Sequence, residues 1–218
     1  MATAPPLEEY PTIEDVLHAL GGIEPVRVRF GPARGPATEA DLIAINDRKR
    51  GIFELVDGVL VEKPMGKLES LLAGAIIAIL RNFIIPRDLG IVTAPDGMMR
   101  LAPGLLRAPD VSFISWARIH EGPITEELLA DIVPDLAVEV LSPSNRKAEM
   151  ARKRREYFAA GVRLVWEVEP RSRTVTVYDS PEHSAVLDDS MTFDGGDVLP
   201  GFALPLVELF AELNRRGD

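Results

Sequence analysis

Cysteine is absent from the 218 residues. Disulfides and thiolate metal sites are therefore excluded, and nothing asks for an oxidising compartment. Histidine is scarce: His18, His120 and His183 are spread too widely to suggest a histidine-built zinc site. Any bound metal is expected to have oxygen ligands, which favours Mg²⁺, Mn²⁺ or Ca²⁺. Aromatic residues make up only 6%, with no basic–aromatic stripe for stacking single-stranded bases. The same shortage leaves little to stack on sugars and argues against glycoside hydrolysis by paired carboxylates. The longest apolar run, 71–80, is short for a bilayer span and is followed by Arg81. Residues 1–9 carry neither a basic nor an apolar signal region, so a cytoplasmic setting without a membrane partner is expected. No Ser–His–acid pattern is visible, which disfavours a serine nucleophile.

What is present suits a soluble globular chain, with 46% apolar and 27% charged residues. The net charge of −10 speaks against a broad phosphate-binding surface, though a local basic run exists at 146–155. Residues 1–50 are expected to form an accessory N-terminal helical segment and 51–218 the main domain. Thr12 and Thr38 each precede a short helical pattern with acids in the first turn, and 25–30 suggests a strand. Asp57-Gly58 between two apolar runs predicts a hairpin over 53–62. Leu68, Leu71, Leu72, Ala75, Ile76, Ile79, Leu80 and Phe83 recur at helical spacing and predict a long core helix. Strands are expected at 90–94, 98–101, 110–115, 136–141, 163–168, 174–178 and, more weakly, 184–187. Helices are expected at 125–131, 145–160 and 206–213, and 194–197 reads as a turn. The order implies an α/β or α+β fold around one mixed central β-sheet flanked by helices.

The chemistry concentrates in two strands. In Leu136-Ala-Val-Glu-Val-Leu141, Glu139 shares a face with Ala137 and Leu141, and both faces are apolar. A carboxylate there needs compensation, because burying an unpaired charge costs several kcal/mol, roughly. Asp110 opens a second apolar strand, and the following basic helix carries Lys153. Two acids and a lysine suit metal-assisted phosphodiester hydrolysis, in which two carboxylates hold the ion and a cation orients water. A structural ion pair explains Glu139 as well, and a solvated face explains the run around Lys153. Tyr157 and Trp166 fit core packing better than base stacking.

Phe53-Glu-Leu-Val-Asp-Gly58, Pro109-Asp-Val111, Val138-Glu-Val-Leu-Ser-Pro-Ser144 and Lys153-Arg-Arg-Glu-Tyr-Phe-Ala-Ala-Gly-Val162, with Trp166 and Glu169-Pro170, resemble the Uma2 family over about residues 40–180. The resemblance implies a restriction-endonuclease-like core of the PD-(D/E)XK superfamily and a metal-dependent DNA endonuclease. By it, Asp110 and Glu139 are the paired acids and Glu54 a further acid of the site. Leu141 stands where the superfamily lysine is usual, and Lys153 on the next helix takes that role. Asp110, Glu139 and the carbonyl of Val140 are then the expected ligands of Mg²⁺ or Mn²⁺, with DNA as substrate and a homodimer as the cutting unit. Many relatives carry a histidine at the start of the long helix, where this chain has Met65-Gly-Lys-Leu-Glu69; Glu69 is the candidate in its place. The alternative is a catalytically silent nuclease fold that binds nucleic acid or a protein partner.

Overall fold

A computed structural model of the chain describes residues 12–31, 35–48, 51–64, 66–119, 124–125 and 131–214. The helix expected at 125–131 falls largely outside them. Thr12 caps α1 (Ile13–Ala19) in a reciprocal box with Asp15, and Thr38 does the same for α2 (Glu39–Arg48) through Asp41. Between them the expected strand shrinks to a 3₁₀ turn, Pro25–Arg27, and the two-residue β1 (Val28–Arg29). Pro25 explains this: it sits at the first position of the turn, where its missing N–H is not needed.

The hairpin forms as expected, β2 (Phe53–Val56) with β3 (Val59–Glu62), turned by Asp57 and Gly58 at φ 50° and 72°. The long helix is α3 (Lys67–Ile84). It is followed by β4 (Gly90–Thr93), β5 (Met99–Ala102), β6 (Leu105–Arg107) and β7 (Val111–Ser115). Then come β8 (Leu136–Val140), α4 (Lys147–Ala160), β9 (Leu164–Glu169), β10 (Thr174–Tyr178) and β11 (Ser184–Asp188). The chain closes with β12 (Thr192–Gly195), β13 (Leu199–Pro205) and α5 (Leu206–Ala211).

Among the described residues there are three sheets, where the sequence suggested one. The central sheet is mixed, in the order β11-β10-β9-β8-β7-β4, and only β8 and β9 run parallel. A parallel pair needs a crossover, which α4 supplies. An antiparallel five-stranded sheet, β1-β3-β2-β6-β5, lies beside it, and β12 pairs with β13. Strand β6 and the β12–β13 pair lacked a clear signal, because each is short or broken by Gly and Pro.

Alternation along β8 divides the core. Leu136, Val138 and Val140 pack with Leu72, Ile76 and Leu80 of α3 and with the rings of Trp166, Phe193 and Phe202. On the other face Ala137 packs with Tyr157, Val162, Val165 and Met99. By length and composition alone α3 could cross a membrane; here one stripe of it is embedded in the core over the central sheet. Gly161, at φ 103°, ends α4 in the left-handed conformation that favours glycine.

Two contacts at Glu149 are among those that tie the N-terminal elements to this framework. Gly21 approaches so closely that a Cβ there would stand 2.4 Å from the Glu149 backbone nitrogen. Buried Arg27 forms a bidentate pair with Glu149 at 2.6 and 3.0 Å and donates to the Glu62 carbonyl.

Asp135 knots the entry to β8. Its carboxylate accepts from the Ser115 N–H and from Arg118 Nε, each at 2.9 Å, and its carbonyl accepts from the N–H groups of Arg163 and Leu164. Burial alone would raise its pKa, but the Ser115 N–H and Arg118 outweigh it and hold the carboxyl below its ordinary 3.8. A group depressed in this way contributes stability above its unfolded pKa and loses it as pH falls through the folded value. Asp135→Asn is expected to lower stability by about 1.5–3 kcal/mol at pH 7. The deficit should shrink below pH 4, a trend that urea titrations across pH will reveal or refute.

Candidate active site

The two sheets meet at a buried cluster of charge. Its first member, Glu139, is carried inward on β8 on the α4 side. Its Oε1 accepts from Lys153 Nζ at 2.8 Å and from the Tyr157 hydroxyl at 2.6 Å. Lys153 and Tyr157 are one helical turn apart on α4, so one face delivers both donors. The ammonium of Lys153 also reaches Glu54 Oε1 on β2, at 3.0 Å. Glu54 is held in addition by the Ala108 N–H at 3.0 Å and by Arg107 Nη1 at 2.8 Å.

Asp110 stands just ahead of β7, with its Oδ2 accepting from the Val140 N–H at 2.7 Å. Its Oδ1 lies 2.9 Å from the ammonium of Lys63, which is also 3.6 Å from Glu139 Oε2 and bonded to the Ala108 carbonyl. Glu54, Asp110, Glu139 and Lys153 are thus brought together, with the backbone of Val140 among them.

Three members escaped the sequence reading. Arg107 and Lys63 were not singled out, and Tyr157 was assigned to core packing. Tyr157 is indeed fully buried, but its hydroxyl serves the site. One signal pointed toward Lys63: it follows Val59-Leu-Val61, where every residue is buried, so the next turn of chain also lies inside. Glu69 occupies the first turn of α3, beside a cavity of about 40 Å³ that Asp110 and Lys63 also line.

The basic run on α4 is largely consumed within the protein. Arg152 pairs with Asp57 and Glu156, Arg154 with Glu167, and Arg146 with Glu24. This part of the expected phosphate-binding patch is a set of structural ion pairs.

The environment pushes the acids in opposite directions. Burial raises the pKa of Asp110, the negative Glu139 adds to it, and Lys63 and the Val140 N–H only partly oppose this. For Glu139 burial acts the same way, but Lys153 and then Lys63 outweigh it and the pKa falls. Glu54 is likewise lowered, its burial overcome by Lys153, Arg107 and Lys63. Burial, then the carboxylates of Glu139 and Glu54, push Tyr157 well above 10, which keeps its hydroxyl a donor. Buried ion pairs add little net stability compared with apolar packing. Carboxylates driven apart in pKa beside a cleft mark a candidate functional site.

The cleft is a groove of about 830 Å³ on whose wall Lys63 lies. Ser142 and Ser144 line it, as do Lys67 and Arg171, whose side chains have no ion-pair partner among the described residues.

Layered in this way, the molecule has a restriction-endonuclease-like fold: a mixed central sheet flanked by helices, with helices added at the N-terminal side. The chain belongs to the Uma2 family, whose model, described as "Putative restriction endonuclease", matches residues 39–207. Among solved structures it is similar to "a putative nuclease belonging to DUF820 from Anabaena variabilis ATCC 29413". The TM-score is 0.65 at 20% identity, over 76% of this chain and 93% of that one, a likeness of fold. No curated protein matches the chain.

Proposed function

We propose that the protein is a divalent-metal-dependent endonuclease that hydrolyses DNA phosphodiester bonds at the Glu54, Asp110, Glu139 and Lys153 cluster. The observation that carries this reading is Lys153 Nζ 2.8 Å from Glu139, a lysine returned by the crossover helix to a strand acid, which Lys63 on the wall of an open groove approaches at 3.6 Å.

The donors suit the implied ion. Asp110 Oδ1, Glu139 Oε2 and the Ala108 carbonyl converge on one point, and all are hard oxygens of the kind that Mg²⁺ and Mn²⁺ prefer. Among the described residues no three acidic or histidine side chains form a metal cluster by themselves, so a backbone carbonyl and water would complete the set. Asp110, Glu139 and the Ala108 carbonyl would hold the ion, with the Val140 carbonyl proposed as a further donor. When bound, it polarises the phosphoryl oxygen and acidifies a bound water.

The chain's own groups do the rest. The Val140 N–H fixes the rotation of Asp110, and Tyr157 fixes Glu139. An ammonium has three donors. Lys153 uses two of them on Glu54 and Glu139, leaving the third to orient the attacking water. Glu54 keeps Lys153 in place and charged. Lys67 and Arg171 on the groove would meet the phosphate backbone, and a symmetric dimer would present two such sites to a duplex.

One observation favours the silent-fold alternative: a lysine ammonium, Lys63, already stands between the two acids. Supercoiled plasmid incubated with Mn²⁺ separates the readings. Wild type should nick it, and Glu139→Gln and Lys153→Ala should do so far more slowly. Equal cleavage by all three proteins would sink the enzyme reading.

A further inference from the structure

We infer that Lys63 is the resident cation of the acid pair, and that a divalent ion enters by displacing its ammonium into the groove. This rests on the metal-dependent reading above. Lys63 Nζ touches Asp110 Oδ1, Glu139 Oε2 and the Ala108 carbonyl. Those three oxygens are the set an ion bridging Asp110 and Glu139 would use, so ammonium and ion compete for one point.

Charge argues the same way. Glu54, Asp110 and Glu139 face Lys63, Lys153 and Arg107, all buried except Asp110, which is mostly so, and Glu156, which also holds Arg107, is itself paired with Arg152; the cluster is therefore close to neutral as it stands. A divalent ion added without loss would leave two buried positive charges in excess, and releasing Lys63 halves that excess.

Lys63 also has somewhere to go. It borders both the small cavity beside Asp110 and the large groove. Rotation of its four-carbon stem carries the ammonium from one to the other without moving the backbone, which the Lys63 N–H bond to the Ile52 carbonyl anchors at 2.8 Å. In the groove the freed ammonium joins Lys67 and Arg171 as a contact for substrate phosphate. Lys63 is thus a positioning residue that holds the site closed to water and cations until the ion arrives.

The first test uses the wild-type chain. Acylation of Lys63, read by mass spectrometry against exposed Lys67, should rise by about tenfold or more in saturating Mn²⁺. Unchanged or reduced reactivity, with Mn²⁺ binding demonstrated by calorimetry, overturns the inference and leaves the nuclease reading standing. In the second test, Lys63→Met should bind Mn²⁺ about tenfold more tightly than wild type, and equal or weaker binding also overturns the inference. Failure of the wild type to bind Mn²⁺ removes both the inference and the metal-dependent reading. Should Lys63→Met not fold, the acylation experiment decides alone.

Discussion

In equilibrium urea unfolding, Glu54→Ala is expected to be about 3–5 kcal/mol less stable than wild type. Truncation leaves the Ala108 N–H without its acceptor and strips a partner from both Lys153 and Arg107, each buried. The loss therefore comes from uncompensated cations inside the protein and exceeds the small worth of the ion pairs themselves. The pH dependence supplies a second reading. The pKa of Glu54 lies below the ordinary 4.5 because Lys153 and Arg107 overcome its burial. Its contribution is present in full above the unfolded value and fades as pH falls through the folded one. Wild type should thus weaken in acid more steeply than Glu54→Ala. A deficit below about 1 kcal/mol, the range of exposed pairs, would show that water reaches these charges.

Glu139→Gln should lower cleavage by about 10²- to 10³-fold, the range seen when one charge-stabilising group is lost from an active site. The amide keeps the shape of the side chain and an oxygen for the Tyr157 hydroxyl. Lys153 retains Glu54 at 3.0 Å, so the fold should survive where Glu139→Ala would fracture the cluster. Comparing the two substitutions divides chemistry from folding. If the glutamine variant unfolds near the wild-type temperature yet cuts at the wild-type rate, Glu139 has no part in the reaction.

Much of this centre was legible in the residues. An acid in a strand with two apolar faces cannot be ordinary, and alternation set Glu139 opposite Val138 and Val140 correctly. The family resemblance supplied Lys153, on the next helix, in the role of the strand lysine, and added Glu54. Lys63 and Arg107 were hidden for one reason. A charge at the end of a strand is normally solvated, and only the packing of the second sheet, which carries both, against the central sheet and α4 buries them. The same sheet was invisible as a separate layer, since periodicity reports that a face is buried without saying against what. The β12–β13 pair was lost differently. Gly195, Gly196, Pro200 and Gly201 dominate its local signal, while Phe193, Phe202 and Leu204 bury themselves around Trp166.

The crossover helix has a consequence for how such a site can change. Because Lys153 rides on α4 and not on β8, its placement is counted in turns of a helix, at about 100° per residue. One residue inserted before Lys147 can be absorbed by the loop. The same insertion between Met150 and Lys153 would rotate Lys153 and Tyr157 together off the acids, leaving every strand in register. The chain can therefore drift in loop length without harm, yet a single-residue slip inside one helix would uncouple the lysine from its carboxylates at a stroke.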